Sequence, residues 1–171
     1  MTTSLNLPKN HLNAVLDRIA FLPEPLRLRA FDVFLGRLIR AYSTVGIRTR
    51  VLTPDRVEMS LKNRRKFRNH VGGIHGVVCQ MPGEFAAGIL LAHWVPKGAV
   101  VVVRSLQAEL HKPIRGDIHA VATLPQDQLR PALTLEKGEV TVSIQLTDST
   151  GEQPIATDIT MAWFPKSARS N

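Results

Sequence analysis

One run decides most of what this chain can become. Ile74 to His93 reads as a helix that is apolar nearly all round, with Ile74, Val77, Val78, Met81, Phe85, Ile89 and Leu90 spread over its circumference. A helix with no polar side has to be covered on every side. Its length at the ordinary helical rise is roughly 30 Å. No uninterrupted apolar run approaches the ~20 residues that cross a bilayer, so the cover has to come from protein.

The rest of the chain supplies it. After residue 46 the hydrophobic period changes from 3.6 to 2. Ile47–Leu52 and Arg56–Leu61 read as paired strands around Thr53-Pro54-Asp55, the second alternating at Val57, Met59 and Leu61. Beyond the apolar helix come Val100–Leu110, Asp117–Leu124, Glu139–Thr147 and Ile155–Phe164. In the third of these Val140, Val142, Ile144 and Leu146 face one way and Thr141, Ser143, Gln145 and Thr147 the other. A turn at Asp148–Gly151 precedes the last strand. One apolar helix and six strands are reconciled if the sheet curls around the helix, giving an α+β domain. Its open edges would be managed by pairing with a second copy.

Two helices precede the sheet. Leu12, Val15, Leu16 and Ile19 mark the first, and Pro23 and Pro25 interrupt the chain. The second fits Leu26–Tyr42, with Phe31, Phe34, Leu35, Leu38 and Tyr42 on one stripe. That stripe either packs on the domain or lies on a membrane surface. The expected organisation is a helical extension over 1–43, the main domain over 44–166 and a flexible tail over 167–171. One cysteine, Cys79, excludes an internal disulfide and a cysteine-rich metal site. The six histidines are scattered, so no metal is expected. Met1-Thr2-Thr3-Ser4 lacks the basic stretch and apolar run of a secretory signal, and the expected address is cytoplasmic.

Chemistry concentrates between Arg68 and Glu84, where the glycine-rich stretch Asn69-His70-Val71-Gly72-Gly73-Ile74-His75-Gly76 enters the apolar helix. The first N–H groups of a helix have no internal partner and carry the positive end of its dipole. They suit an anion, or a carbonyl oxygen becoming one. Glu84 sits inside the helix with no basic residue within four positions on either side. Such a carboxylate must find a partner, ionise with difficulty, or do work. Glu84 follows His75 by nine residues, which puts the two on opposite sides of the helix and ~13 Å apart along it. One chain does not readily bring both to one atom; two chains related by a two-fold axis do. Cys79, four residues after His75, is either core filler or half of a nucleophilic pair.

The pattern Asn69-x2-Gly72-x2-His75-Gly76, followed by the acid at 84, resembles that of the hotdog-fold acyl-CoA thioesterases of the PaaI and hydroxybenzoyl-CoA type. It is most similar to the bacterial branch with Glu rather than Asp on the helix. Leu110–Asp117 resembles the turn these proteins carry after the helix, and the likeness covers about residues 44–164. The resemblance implies a hotdog fold and hydrolysis of an acyl thioester. Glu84 would be general base or nucleophile, Asn69 would hold water or substrate, and Gly76 N–H would polarise the carbonyl with His75 shaping the loop. It implies no separate cofactor, coenzyme A arriving as part of the substrate, and a homodimer or homotetramer. Two residues depart from the pattern. Val77 replaces a second glycine, which narrows the acyl pocket or alters the oxyanion geometry. Pro82 removes a backbone donor and should kink the helix at the Val78 carbonyl.

Charge bears on the partner. Residues 1–70 hold 14 of the 22 Lys and Arg but 5 of the 14 Asp and Glu. Lys62, Arg64, Arg65, Lys66 and Arg68 would hold the phosphates of coenzyme A, bind nucleic acid, or form a solvated loop. Only Phe67 interleaves, so base stacking has little support and no nucleic acid is expected. Arg104, Lys112 and Arg115 are further phosphate candidates. The reading is an acyl-CoA thioesterase, against an acyl-CoA or fatty-acyl binding protein without turnover.

Overall fold

The helix expected over Ile74–His93 runs from Gly76 to Ala92 (α4), capped at its start by His75, and continues through Pro82 without interruption. The computed structural model describes residues 7–166; the expected tail at 167–171 lies outside the described residues. Ahead of α4 come α1 (His11–Ile19), α2 (Glu24–Leu38), α3 (Arg40–Val45), β1 (Arg48–Leu52) and β2 (Arg56–Leu61). After it come β3 (Ala99–Leu110), β4 (Ile118–Thr123), the single turns α5 (Gln126–Leu129) and α6 (Pro131–Thr134), β5 (Gly138–Asp148) and β6 (Ile155–Pro165). Among the described residues no helix is long and apolar enough to cross a membrane.

The six strands form one antiparallel sheet in the order β1-β2-β4-β5-β6-β3. Its inner face carries the alternating residues read from the sequence. Val57, Met59, Ala120, Ala122, Val142 and Leu146 are all fully buried. α4 lies in the concavity, and at Gly83 it approaches so closely that a Cβ would stand 2.9 Å from Ile144 Cγ2. Any larger residue there would push the helix off β5.

The single second helix expected over Leu26–Tyr42 is two. Ile39 adopts an extended conformation (φ −126°, ψ 100°) and divides α2 from α3. The break turns Tyr42 back beneath α2, where its hydroxyl donates to Asp32 Oδ1 at 2.5 Å. The same oxygen accepts the Thr49 N–H at 3.0 Å, tying β1 to α2. Burial, with the Asp32 carboxylate beside it, holds the Tyr42 hydroxyl far above its usual titration range. This polar knot outweighs continuation of the helix past Leu38.

α1 closes the far end of α4. Asn10 Nδ2 donates to the carbonyls of Ala92 and Val95, both at 2.8 Å, and Asn13 Nδ2 donates to the His93 carbonyl at 2.9 Å. The Ala92 and His93 carbonyls are among those the helix end leaves without an internal partner, and Val95 belongs to the turn that follows. Asn13 Oδ1 therefore accepts from His93 Nδ1 at 2.9 Å, which fixes the proton on Nδ1. His93 Nε2 is buried with no partner among the described residues. Burial pushes the imidazole down to about 4, so it is neutral.

Candidate active site

The loop before α4 is built by Asn69. Its Oδ1 accepts the N–H groups of Val71 at 3.0 Å and Gly73 at 3.1 Å, while its N–H donates to the Gly73 carbonyl at 2.8 Å. Gly72 takes φ +84°, the left-handed region that favours glycine. A Cβ on Gly73 would stand 2.6 Å from the Ile114 carbonyl oxygen, so the loop lies directly on the turn that follows β3. With its oxygen occupied, Asn69 retains only its Nδ2 donor, which has no partner among the described residues.

His75 caps α4. Its Nδ1 accepts the Val77 N–H at 3.4 Å and its own N–H donates to the Phe67 carbonyl at 2.8 Å. The Gly76 N–H, next along, makes no hydrogen bond among the described residues. Leu110, at the end of β3, lies 3.2 Å from where a Gly76 Cβ would be. Cys79 is buried and donates through Sγ to the Gly76 carbonyl at 2.8 Å. Burial pushes that thiol up to about 12, which removes it as a nucleophile at neutral pH.

Glu84 lies elsewhere. It is half-buried, with no ion pair or hydrogen bond among the described residues, and desolvation raises its carboxyl above the ordinary value. It lines an apolar cleft of about 510 Å³ floored by α4. One wall is α2, through Phe34 and Leu38; the other is the start of β3, through Val101 and Val103. Within one chain, then, the acid and the helix N-terminus belong to different places, as the His75–Glu84 spacing implied.

The sequence did not single out the walls of this cleft. Phe34 and Leu38 were legible as an apolar stripe, but the surface they face is set by tertiary packing.

The four phosphate candidates divide. Arg68 and Arg115 are exposed, their guanidinium groups without a carboxylate partner among the described residues, at the two sides of the Asn69 loop. Arg68 precedes it in the chain and bonds Asn63 Oδ1 at 3.1 Å, and Arg115 follows Ile114, which abuts Gly73. Lys112 shares that turn but pairs with Glu152. Arg104 stands midway along β3, paired with Glu139. Lys62, Arg64, Arg65 and Lys66 are exposed beside the loop and also lack carboxylate partners among the described residues. Lys66 instead donates to the Thr44 carbonyl at 3.0 Å and covers the Phe67 ring.

A sheet rolled around one central helix, with a glycine loop at the helix start, defines the hotdog fold, and solved structures agree. A Pseudomonas aeruginosa protein of unknown function, described as a probable thioesterase, superposes with a TM-score of 0.69 at 23% identity, over 84% of this chain and 97% of that one. A Haemophilus influenzae thioesterase gives 0.65 at 18%, over 80% and 92%. A thioesterase family protein from Silicibacter pomeroyi gives 0.61 at 16%, over 78% and 96%. The chain belongs to the family described as Domain of unknown function (DUF4442), whose model matches residues 27–163. No curated protein matches the chain.

Proposed function

We propose that this chain hydrolyses acyl-coenzyme A thioesters at a site shared between two copies. The observation that carries this reading is Glu84: a carboxylate drawn out of water, without a partner among the described residues, on the floor of an apolar cleft. In this reading Glu84 takes a proton from water as the water oxygen bonds to the thioester carbon. The carbonyl electrons move onto oxygen, where the Gly76 N–H and the start of α4 stabilise the charge. Asn69 Nδ2 holds the water or the carbonyl, and His75 keeps the loop in shape. Collapse re-forms the carbonyl and breaks the carbon–sulfur bond. Thiolate leaves and is protonated, giving free acid and coenzyme A. Arg68 and Arg115, with the basic tract, face the phosphates.

Sharing is supported by β3, an edge strand of twelve residues. Leu106 and Leu110 are in register with the buried Ile159 and Ile155, yet are 38% and 59% exposed, so the chain leaves part of its inner face uncovered. Antiparallel pairing of β3 with a second β3 about its midpoint would set Leu110, and with it Gly76, beside residues 99–103 of the other copy. Those residues border the other Glu84 cleft. The assembly is a dimer or a pair of dimers.

Thiol release across an acyl-CoA panel tests the reading: wild-type protein turns over at least one member, and Glu84→Ala abolishes it. Equal rates for the two would end it. Binding without turnover is the second reading, favoured by the separation of Glu84 from Gly76 within one chain. A monomer in sedimentation that binds acyl-CoA and hydrolyses none would establish that alternative.

A further inference from the structure

The cleft beside Glu84 has a shape as well as a chemistry. Glu84, Gly88 and Ala92 line it at four-residue steps, so it follows one stripe of α4, and Pro96, Gly98 and Leu12 continue it past the helix end. From Glu84 to Ala92 is about 12 Å at the helical rise. Among the described residues its only ionisable lining groups are Glu84 and His11. Asn10, which also lines it, has its side chain committed to Asn13 N–H and the carbonyls of Ala92 and Val95. Apart from Glu84 and His11 the described lining carries no charge, and a trough that runs along one stripe of a helix suits a chain better than a ring.

The floor is bare next to the acid. Gly88 stands one turn beyond Glu84, and a Cβ there would meet only Met161 Cε, at 3.5 Å, an ordinary contact. Gly88 is therefore not forced by crowding, unlike Gly83, whose Cβ would collide with Ile144. Its missing side chain leaves the trough open immediately past the reacting group. Ala92 does the same a turn further on, and α1 closes the end.

We infer that this trough holds a straight, unsubstituted acyl chain with its thioester at Glu84, and that Gly88 and Ala92 are the specificity-determining residues that set how long the chain can be. The inference rests on the hydrolytic reading for the position of the thioester, but not for the occupancy of the trough. An extended chain advances about 1.2 Å per bond, so 12 Å accommodates about ten bonds before Ala92 is passed. Each methylene buried adds about fourfold in affinity until the trough is filled.

The experiment uses the full chain with straight acyl-CoAs from butyryl to palmitoyl, benzoyl-CoA, and the non-hydrolysable S-butyl-, S-octyl- and S-dodecyl-CoA. Wild-type kcat/KM climbs about fourfold per methylene and levels near decanoyl. The decanoyl-to-butyryl ratio falls at least tenfold in Ala92→Leu and further in Gly88→Leu, whereas Val33→Ser, on the solvent side of α2, keeps the wild-type ratio. A ratio unmoved in both trough variants, or benzoyl-CoA preferred over every straight chain, overturns the inference. Calorimetry with the S-alkyl series separates the two readings. Graded affinity with no hydrolysis sinks the enzyme and keeps the trough; hydrolysis with flat S-alkyl affinities sinks the trough and keeps the enzyme. If Gly88→Leu fails to fold, Ala92→Leu and the wild-type S-alkyl series decide.

Discussion

Asp32 and Glu84 are both withdrawn from solvent, on neighbouring helices, and the fold treats them in opposite ways. Asp32 is 5% exposed, and its carboxylate accepts from Tyr42 and Thr49 with the Arg48 guanidinium 3.7 Å away. Glu84 is less buried and has none of this. Burial alone therefore does not mark a working acid. Asp32, held by these contacts, ties α2 to β1; on the proposed reading Glu84, left without such contacts, acts on what enters the cleft.

The largest effect that could break this contrast is on turnover. Glu84→Gln should lower acyl-CoA hydrolysis by about a thousandfold, the range for removing a general base. It should leave the unfolding midpoint unchanged or raised, because the ionised form of an unpartnered, desolvated carboxylate costs stability at neutral pH. Turnover of the wild type should rise with pH through a midpoint above 4.5, the ordinary value, since only the carboxylate accepts the proton. A flat profile across that range would remove Glu84 as the base.

Asp32→Ala should behave the other way round. It orphans the buried Thr49 N–H and leaves the Tyr42 hydroxyl with Thr49 Oγ1, at 3.1 Å, as its remaining partner, so stability should fall by about 2–4 kcal/mol in urea unfolding. A loss under 1 kcal/mol would mean that the polar knot is decorative and that the break at Ile39 has another cause.

His93 extends the comparison to a base. Its folded pKa, about 4, lies below the ordinary 6.5, so its contribution is complete above pH 6.5 and is lost as pH falls towards 4. The unfolded chain takes up the proton that the fold refuses. That amounts to on the order of 2 kcal/mol between pH 7 and pH 5. His93→Gln should flatten this part of the stability profile, and equal slopes in the two proteins would refute the assignment.

The smallest expected effect concerns cations. Arg64 and Arg65 lack carboxylate partners among the described residues, whereas Arg104 is matched by Glu139. The double change Arg64→Gln, Arg65→Gln should raise KM for an acyl-CoA about fivefold, and Arg104→Gln by less. Neither should matter with an acyl-N-acetylcysteamine, which has no phosphates. The reverse order would return the phosphate site to β3.

Period and polarity carried the sheet and the central helix into view: alternation at Val140–Leu146 and an all-round apolar α4 admit few other solutions. Glu84 was visible because nothing basic lies near it in sequence. What stayed hidden depends on residues far apart along the chain. The stripe of apolar residues runs on past Ile39 to Tyr42, so the break between α2 and α3 is seen only once Asp32 and Thr49 are known to receive that hydroxyl. Arg104 and Glu139 are 35 positions apart, and no local pattern announces their pairing. α5 and α6 are single turns, too short for a helical period to register. The cleft has walls from α2 and β3 and an end from α1, which lies before the first residue matched by the family model.

The bare edge of β3 has a consequence for how such a protein is handled. A strand of twelve residues with one side of its backbone open is satisfied only from outside. If a second molecule provides that satisfaction and the reacting groups are divided between the two, rate per molecule is not a constant. It declines on dilution, in proportion to concentration once most molecules stand alone (the total rate then follows the square), and an assay run too dilute would describe a hydrolase as inert.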